Sequence, residues 1–175
     1  MDWFRLDNCD VCGNELGDGC ISLGDHPLCD DLIPLDSQEE CNRYPIEVAF
    51  CEVCGTCIQR IQVEKTVLFP SSYHYRSSLT QDVLRGMDGL VDELVGIFDS
   101  GNGIINKAVL DVGCNDGSLL ERFRRHGFRC FGVDPTNAAI DAKGKSLEVD
   151  QAYFDAEYAA NFVQKNGLVD VVTFT

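Results

Sequence analysis

The stretch "VLDVGCNDGSLL", residues 109–120, decides how the second half of the chain folds. It begins as an apolar run typical of a buried strand and then enters a loop that contains Gly113, Asn115 and Gly117. Ser118 stands three residues before a glutamate, which is the spacing of a helix capping box. The stretch therefore predicts a strand, a glycine-rich turn and a helix that begins just after Gly117.

Two kinds of cofactor loop are candidates for this turn. The dinucleotide loop G-x-G-x-x-G would need two further glycines where the chain has Asn115 and Ser118. The acid-x-G-x-G-x-G loop of enzymes that use S-adenosylmethionine (SAM) fits better, because Asp111, Gly113 and Gly117 match it and only the middle glycine is replaced. Several acids in the loop also favour a cofactor with sulfonium and ammonium groups over anionic phosphates.

A further acid follows the next predicted strand. In the segment "FGVDP", Asp134 stands at the end of the predicted strand, about twenty residues after the loop. Nucleotide-binding βαβ units have an acid at this position, and its carboxylate accepts hydrogen bonds from the ribose hydroxyls. A plain strand-to-helix connection without a ligand is the alternative interpretation of the turn. The predicted cofactor-binding residues are Asp111, Gly113, Asn115, Asp116, Gly117 and Asp134.

Strand and helix patterns alternate from this stretch to residue 175. Such alternation predicts a parallel sheet with helices on its faces, and a doubly wound sheet places its first four strands in the order 3-2-1-4. Upstream, apolar residues at three- and four-residue steps predict an amphipathic helix over 79–98, with Ser78 and Gln81 as its capping box. Its predicted apolar stripe consists of Leu79, Val83, Met87, Leu90, Leu94 and Phe98.

The cysteines mark a separate first domain, because eight of the ten precede residue 58. Two Cys-x-x-Cys pairs, Cys9 with Cys12 and Cys51 with Cys54, can present four thiolates to one tetrahedral Zn²⁺. Each pair is followed by a glycine, which suits a tight turn around the sulfurs. Buried or redox-active thiols are the alternative, and Cys57 is a possible replacement for Cys51 or Cys54.

The remaining early cysteines, Cys20, Cys29 and Cys41, lack paired spacing and are expected to be small buried residues. Together these patterns predict an α/β protein in three parts. The expected boundaries are 1–70 for a zinc-binding domain, 71–100 for a connecting segment and helix, and 101–175 for the first half of a Rossmann-like SAM-binding domain.

Composition limits the partners and the location of the protein. A formal charge of −15 makes nucleic acid or an anionic membrane surface an unsuitable partner. No apolar run approaches the roughly 20 residues that span a bilayer, and the first residues do not resemble a secretory signal. We therefore expect a cytoplasmic protein, in whose reducing surroundings paired cysteines more often bind metal than form disulfides.

The order of the motifs resembles the sugar C-methyltransferase family. The motifs are a Cys-x-x-Cys pair near the start, "SLGDHPLCDDLIP", a second pair, "YHYRSS", a helix and "LDVGCNDGSLL". The resemblance implies a zinc-binding N-terminal domain with structural zinc, a SAM-binding domain and a C-terminal domain. It also implies methyl transfer from SAM, through an enolate, to a carbon beside the ketone of a nucleotide-linked deoxysugar.

Within "SSYHYRSS" the resemblance makes Tyr73 and Tyr75 the candidate catalytic residues, with Ser77 and Ser78 as further contacts. A phenol there could bind the enolate oxygen, although both tyrosines could instead pack between domains. The resemblance places the general base after residue 175, so residues 1–175 alone are expected to be inactive. Three other functions stay open: methylation of another small molecule, a zinc- and SAM-binding module without catalysis, and an NAD-linked enzyme.

Overall fold

The structure is a computed structural model that describes residues 2–99, 103–104 and 106–174. The chain divides into two compact units, Met1–Pro70 and Ser71–Thr175. The first is rich in cysteine and antiparallel strands, and the second contains a parallel sheet with helices, which confirms the expected α/β fold class. Across the described residues no helix combines the length and apolar character that crossing a membrane requires.

The first unit contains two small antiparallel sheets. Its elements are β1 (Trp3–Arg5), β2 (Cys20–His26), β3 (Tyr44–Phe50), β4 (Cys57–Gln59), β5 (Ile61–Val63) and the short helix α1 (Lys65–Leu68). Strand β1 pairs with β5, and the other sheet has the order β2-β3-β4. The main cluster of buried apolar residues is small and includes Cys9 and Cys51 themselves. So few buried side chains contribute little folding free energy, and units of this size generally need a metal or disulfides.

The second unit is built on a four-stranded parallel sheet. Its elements are α2 (Gln81–Asp99), β6 (Ala108–Val112), α3 (Ser118–Arg125), β7 (Arg129–Val133), α4 (Ala138–Gly144), β8 (Glu148–Asp150), α5 (Ala156–Asn166) and β9 (Val171–Phe174). The sheet order is β8-β7-β6-β9, which confirms the predicted order 3-2-1-4. The carboxyl ends of β6 and β7 therefore lie side by side, where this class of fold binds its ligands.

Alternate residues of β6 face two separate apolar clusters. Val109 packs with residues of α2, α3 and α4, whereas Leu110 packs on the opposite face with Phe162 of α5. Leu119 and Phe123 of α3 are completely buried, and each such side chain contributes about 1.5–3 kcal/mol to folding. This packing fixes the start of α3, and with it the glycine-rich loop, against the sheet.

Helix α2 begins two residues later than predicted. Ser78 lies in a 3₁₀ turn, Ser77–Leu79, where its N–H donates to a carboxylate oxygen of Asp116 at 3.1 Å. Because Ser78 is held in this way, the predicted capping box of Ser78 and Gln81 is wrong, and Leu79 is exposed instead of joining the apolar stripe. The other stripe residues pack as predicted against the core on this face of the sheet.

Helix α3 begins at Ser118, just after Gly117, as predicted. The predicted capping box is nevertheless wrong, because Gly117 occupies the N-cap position. The carboxylate of Asp116 takes the capping role: its Oδ1 accepts from the N–H of Ser118 at 3.2 Å and from its hydroxyl at 2.6 Å. Glu121 forms an ion pair with Lys145 at 3.2 Å instead.

Candidate functional site

The four paired cysteines of the first unit converge on one point. Their sulfurs all lie within 4.8 Å of one another, and two of the distances, Cys9 to Cys54 and Cys12 to Cys51, are 3.6 Å. A tetrahedral zinc ion with bonds of about 2.3 Å to sulfur requires sulfurs roughly 3.8 Å apart. The donor set therefore fits zinc. Cys57 is exposed on β4 and is not in this cluster.

Both cysteine pairs have the same turn. The N–H of Gly13 donates to the carbonyl of Cys9 at 2.8 Å, and the N–H of Gly55 donates to the carbonyl of Cys51 at the same distance. The φ angles of the two glycines are +74° and +75°, a conformation that residues with a side chain rarely adopt. The two glycines therefore close each turn so that both sulfurs of a pair point to one side.

A polar side chain after each turn favours the thiolate form. The side-chain amide of Asn14 donates to Cys12 Sγ at 3.3 Å and lowers the pKa of that thiol. Oγ1 of Thr56 lies 3.3 Å from Cys54 Sγ, and the side chain and backbone of Thr56 lower the pKa of Cys54 to about 6. Since thiolates bind zinc, these contacts promote binding. Neither residue was predicted from the sequence, although each directly follows a Cys-x-x-Cys-Gly motif.

The expectation that the unpaired early cysteines are buried is wrong. Cys20 and Cys29 are exposed, and Cys41 is half-buried. Cys20 begins β2, an edge strand whose residues are all exposed, and the other two lie between β2 and β3. The core of this unit is too small to cover these segments.

In the second unit, the glycine-rich loop leaves the carboxyl end of β6 with three left-handed residues. The φ angles are +76° at Gly113, +49° at Asn115 and +75° at Gly117. Asparagine adopts this conformation more readily than most residues, which explains why it can replace the middle glycine of the motif. The N–H groups of Gly113 and Cys114 both donate to the carbonyl of Val133, which ties the loop to the end of β7.

Asp111, the first acid of the motif, is completely buried in β6. Its Oδ1 accepts a hydrogen bond from the Thr173 hydroxyl at 2.7 Å, while its Oδ2 is buried without a partner among the described residues. Burial, together with the nearby charge of Asp134, raises the pKa of Asp111 to about 7. A buried carboxylate oxygen without a donor is compatible with a cationic ligand such as SAM.

We expect Asp111→Asn to remove a pH dependence of folding. The pKa of Asp111 is about 7 in the folded protein, against an ordinary value of 3.8. At a pH between these two values, the folded state therefore binds more protons than the unfolded state. Stability should therefore fall as pH rises through this window, by at most about 1.4 kcal/mol per pH unit. Urea unfolding at pH 5 and pH 8 measures this difference, which should be smaller in the variant. If the free energy of unfolding changed equally with pH in variant and parent, this prediction would be wrong.

Asp134 lies at the carboxyl end of β7, beside the loop. Its Oδ2 accepts from the N–H of Asn115 at 3.0 Å, and its Oδ1 accepts from the N–H and hydroxyl of Thr136 at 2.8 and 2.5 Å. The side chain is buried. Asp134 thus fixes the shape of the loop in this structure, and its predicted contact with a ribose stays a prediction.

The loop also holds residues 73–78, which we call the tyrosine segment. The Asn115 side chain accepts from the N–H of Ser77 at 2.9 Å and donates to the carbonyl of Tyr75 at 3.1 Å. The side chain of Tyr73 is half-buried and that of Tyr75 is exposed. The structure therefore brings the predicted catalytic segment to the predicted cofactor loop, through contacts that the sequence analysis missed.

Asp116 is also committed to protein contacts. It is buried, which on its own would raise its pKa, but hydrogen bonds from Ser118 and Ser78 hold the pKa below its ordinary value. The carboxylate is thus ionised at neutral pH while it caps α3 and binds the tyrosine segment. None of the residues predicted to bind the cofactor lines the cavity of about 260 Å³ beside β8.

Comparisons with known proteins match the two parts of the chain that contain these sites. Residues 9–69 match a family model described as "Putative zinc binding domain", and residues 79–175 match one described as "Methyltransferase domain". The C-methyltransferase NovU of Streptomyces niveus is 32% identical over 172 residues, which is 95% of this chain and 39% of that relative. The chain thus spans about two fifths of the length of the curated relative that it matches.

The methyltransferase match covers more than half of the chain. A domain of this kind implies SAM as the cofactor, and a zinc-binding domain with four clustered thiols supports structural zinc. The chain therefore belongs to the methyltransferase domain family and has a cysteine-rich zinc-binding domain in front of its SAM-dependent domain.

Proposed function

We propose that the protein transfers a methyl group from SAM to a carbon atom of a nucleotide-linked keto-deoxysugar. The observation that carries SAM dependence is the left-handed loop of Gly113, Asn115 and Gly117 beside the buried carboxylates of Asp111 and Asp134. The relative is a C-methyltransferase, which supports carbon as the acceptor. The sugar rests on the order of the motifs. We also propose a cytoplasmic location, where the thiols of such a zinc site stay reduced.

The residues present suit both bound groups. We assign zinc to Cys9, Cys12, Cys51 and Cys54, with a structural role because all four positions of a tetrahedral ion are then occupied by protein. SAM, when bound, supplies an electrophilic methyl group on a sulfonium. We assign its binding to the backbone of Gly113, Asn115 and Gly117 and to the carboxylates of Asp111 and Asp134, of which the Asp111 Oδ2 has no protein partner among the described residues. Asp116, the remaining predicted residue, supports this site by capping α3.

The proposed reaction also needs an oxygen-binding group near the acceptor carbon. Removing a proton beside a ketone places negative charge on the ketone oxygen, and a hydrogen-bond donor stabilises it. The Tyr73 and Tyr75 phenols are candidates because the loop binds the Tyr75 carbonyl and the Ser77 N–H of the same segment. We propose them as catalytic residues that bind the enolate oxygen.

We expect Asp134→Ala to weaken SAM binding by tens of fold. The change removes an acceptor for the ribose hydroxyls and releases the N–H of Asn115, and one charge-assisted hydrogen bond contributes about 1.5–3 kcal/mol. Isothermal titration of the protein with SAM gives the dissociation constants of parent and variant.

A control separates lost binding from lost stability. Asp155 caps α5 by accepting from the N–H of Tyr158 at 2.8 Å, so Asp155→Ala should cost about 1 kcal/mol of stability without changing SAM affinity. If the Asp134 variant bound SAM as the parent does, our assignment of the ribose site would be wrong.

The substrate class is tested with the full-length protein. We expect turnover with SAM and a nucleotide-linked keto-deoxysugar, detected as a new carbon-bound methyl group by mass spectrometry and NMR. Other small ketones should react more slowly. A methyl group found on oxygen or nitrogen would refute the proposed acceptor, and SAM binding without any turnover would favour a non-catalytic module.

A further inference from the structure

Asn115 stands in a glycine position of the motif but has a side chain with two well-defined partners. Its Oδ1 accepts from the N–H of Ser77 at 2.9 Å, and its Nδ2 donates to the carbonyl of Tyr75 at 3.1 Å. A carboxamide can do both at once, because its oxygen accepts and its NH₂ group donates. Both Asn115 and Ser77 are buried, so each unmade bond would leave a polar group without solvent.

The neighbouring acid holds the same segment. Asp116 Oδ2 accepts from the N–H of Ser78 at 3.1 Å, and Asp116 Oδ1 caps α3 through Ser118. Within the tyrosine segment, Arg76 donates to the carbonyls of Tyr73 and Tyr75 at 2.9 and 3.0 Å, contacts that hold the segment's own shape. The segment is attached to the residues that shape the cofactor loop through the carbonyl of Tyr75 and the N–H groups of Ser77 and Ser78.

We propose that Asn115 and Asp116 are positioning residues that hold the tyrosine segment on the cofactor loop, so that SAM binding and ordering of this segment stabilise each other. The proposal rests on the proposed SAM-dependent function. The same residue, Asn115, is fixed through its N–H by Asp134 and holds the tyrosine segment through its side chain. A ligand that fixes the loop therefore also fixes the carboxamide, and such coupling acts equally in both directions.

The variant Asn115→Gly isolates the role of the carboxamide. Glycine adopts the left-handed backbone of this position without strain and restores the glycine of the motif, so the loop itself should keep its shape. The amides of Ser77 and Ser78 should then exchange with deuterium roughly ten times faster or more, and trypsin should cleave after Arg76 sooner. In the parent, SAM should slow exchange at these amides, and in the variant this effect should be much smaller.

A second variant removes the same bond from the other side. Ser77 is the first residue of its 3₁₀ turn, where proline is tolerated, and Arg76 before it has φ −130° and ψ 124°, which is compatible with a following proline. Ser77→Pro should therefore accelerate exchange at Ser78 as Asn115→Gly does, and combining the changes should add little. Asp141→Asn is the control, because it removes only the partly exposed ion pair with Arg76 at 2.6 Å and should change exchange little.

In the full-length enzyme, a positioning role predicts that Asn115→Gly lowers kcat and weakens SAM binding by no more than the factor by which SAM slows exchange at these amides in the parent. Unchanged exchange at Ser77 and Ser78 in the Asn115 variant, and at Ser78 in the Ser77 variant, would overturn the proposal. So would a large loss of SAM affinity without faster exchange, because the Asn115 side chain would then bind the cofactor and not the segment. If the parent bound no SAM, the proposed function and the coupling would both fail, whereas exchange measured without SAM would still decide whether Asn115 holds the segment.

Discussion

Replacing Cys9 with serine will remove zinc from the protein and unfold its first unit. Cys9 is buried and lies in a cluster whose four sulfurs are all within 4.8 Å of one another. The free energy of binding structural zinc through such ligands is about 10–16 kcal/mol in small domains, far more than the small apolar core of this unit can replace. We expect the zinc content to fall from one ion per chain to nearly none, as measured by elemental analysis of the purified protein.

The matched control is Cys20→Ser. Cys20 is exposed and lies outside the cluster, so this variant should keep its zinc and its circular dichroism spectrum. A parent protein that contained no metal and had four freely titratable thiols at these positions would contradict the assignment. If Cys20→Ser lost zinc as Cys9→Ser does, the ligand set would be different from the one we assign.

Replacing Gly117 with valine will destabilise the second unit by about 3–5 kcal/mol. Gly117 has φ +75°, where a β-branched residue is strained, and a Cβ there would clash with Cδ1 of Leu147 and lie 3.0 Å from Cβ of Ala142. Ala142 is completely buried in the core, so its neighbours leave it little room to move away from a new side chain at residue 117. Urea unfolding, followed by the circular dichroism of the helices, measures the change.

Gly127 provides the control for backbone strain alone. It has φ +89°, but a Cβ at this position would have nothing within 4 Å. Gly127→Val should therefore lower stability by only about 1–2 kcal/mol. Equal losses in the two variants would show that contact with Leu147 and Ala142 contributes nothing, and that our account of the packing behind the loop is wrong.

The sequence predicted the parallel sheet and its strand order because these depend on patterns that repeat over many residues. Apolar strands alternate with helical segments, and the connection rules of doubly wound sheets allow few arrangements. The glycine-rich turn between β6 and α3 was predictable for a related reason, since left-handed backbone strongly favours glycine or asparagine. The two Cys-x-x-Cys pairs lie far apart in the chain, and their shared site was predicted from the matching Cys-x-x-Cys-Gly turns.

Some of the failed predictions involve contacts between residues far apart in the chain. The spacing of Ser78 and Gln81 fits a capping box, but the N–H of Ser78 donates instead to the carboxylate of Asp116, 38 residues further on. The role of Asn115 toward Tyr75 was hidden for the same reason. The prediction that Cys20 is buried was wrong. Apolar composition alone does not show whether a small unit has enough core to cover a given cysteine.

Amide NMR shifts of the ¹⁵N-labelled protein, titrated with SAM and separately with NAD, will show directly whether the loop of Gly113, Asn115 and Gly117 binds SAM. This measurement detects weak binding and shows where it occurs. We expect SAM to shift the amides of Gly113, Asn115, Gly117 and Asp134, together with those of Ser77 and Ser78, and NAD to shift none of them. Shifts caused by NAD at the loop, or shifts caused by SAM only at the cavity beside β8, would contradict the claim that this loop binds SAM.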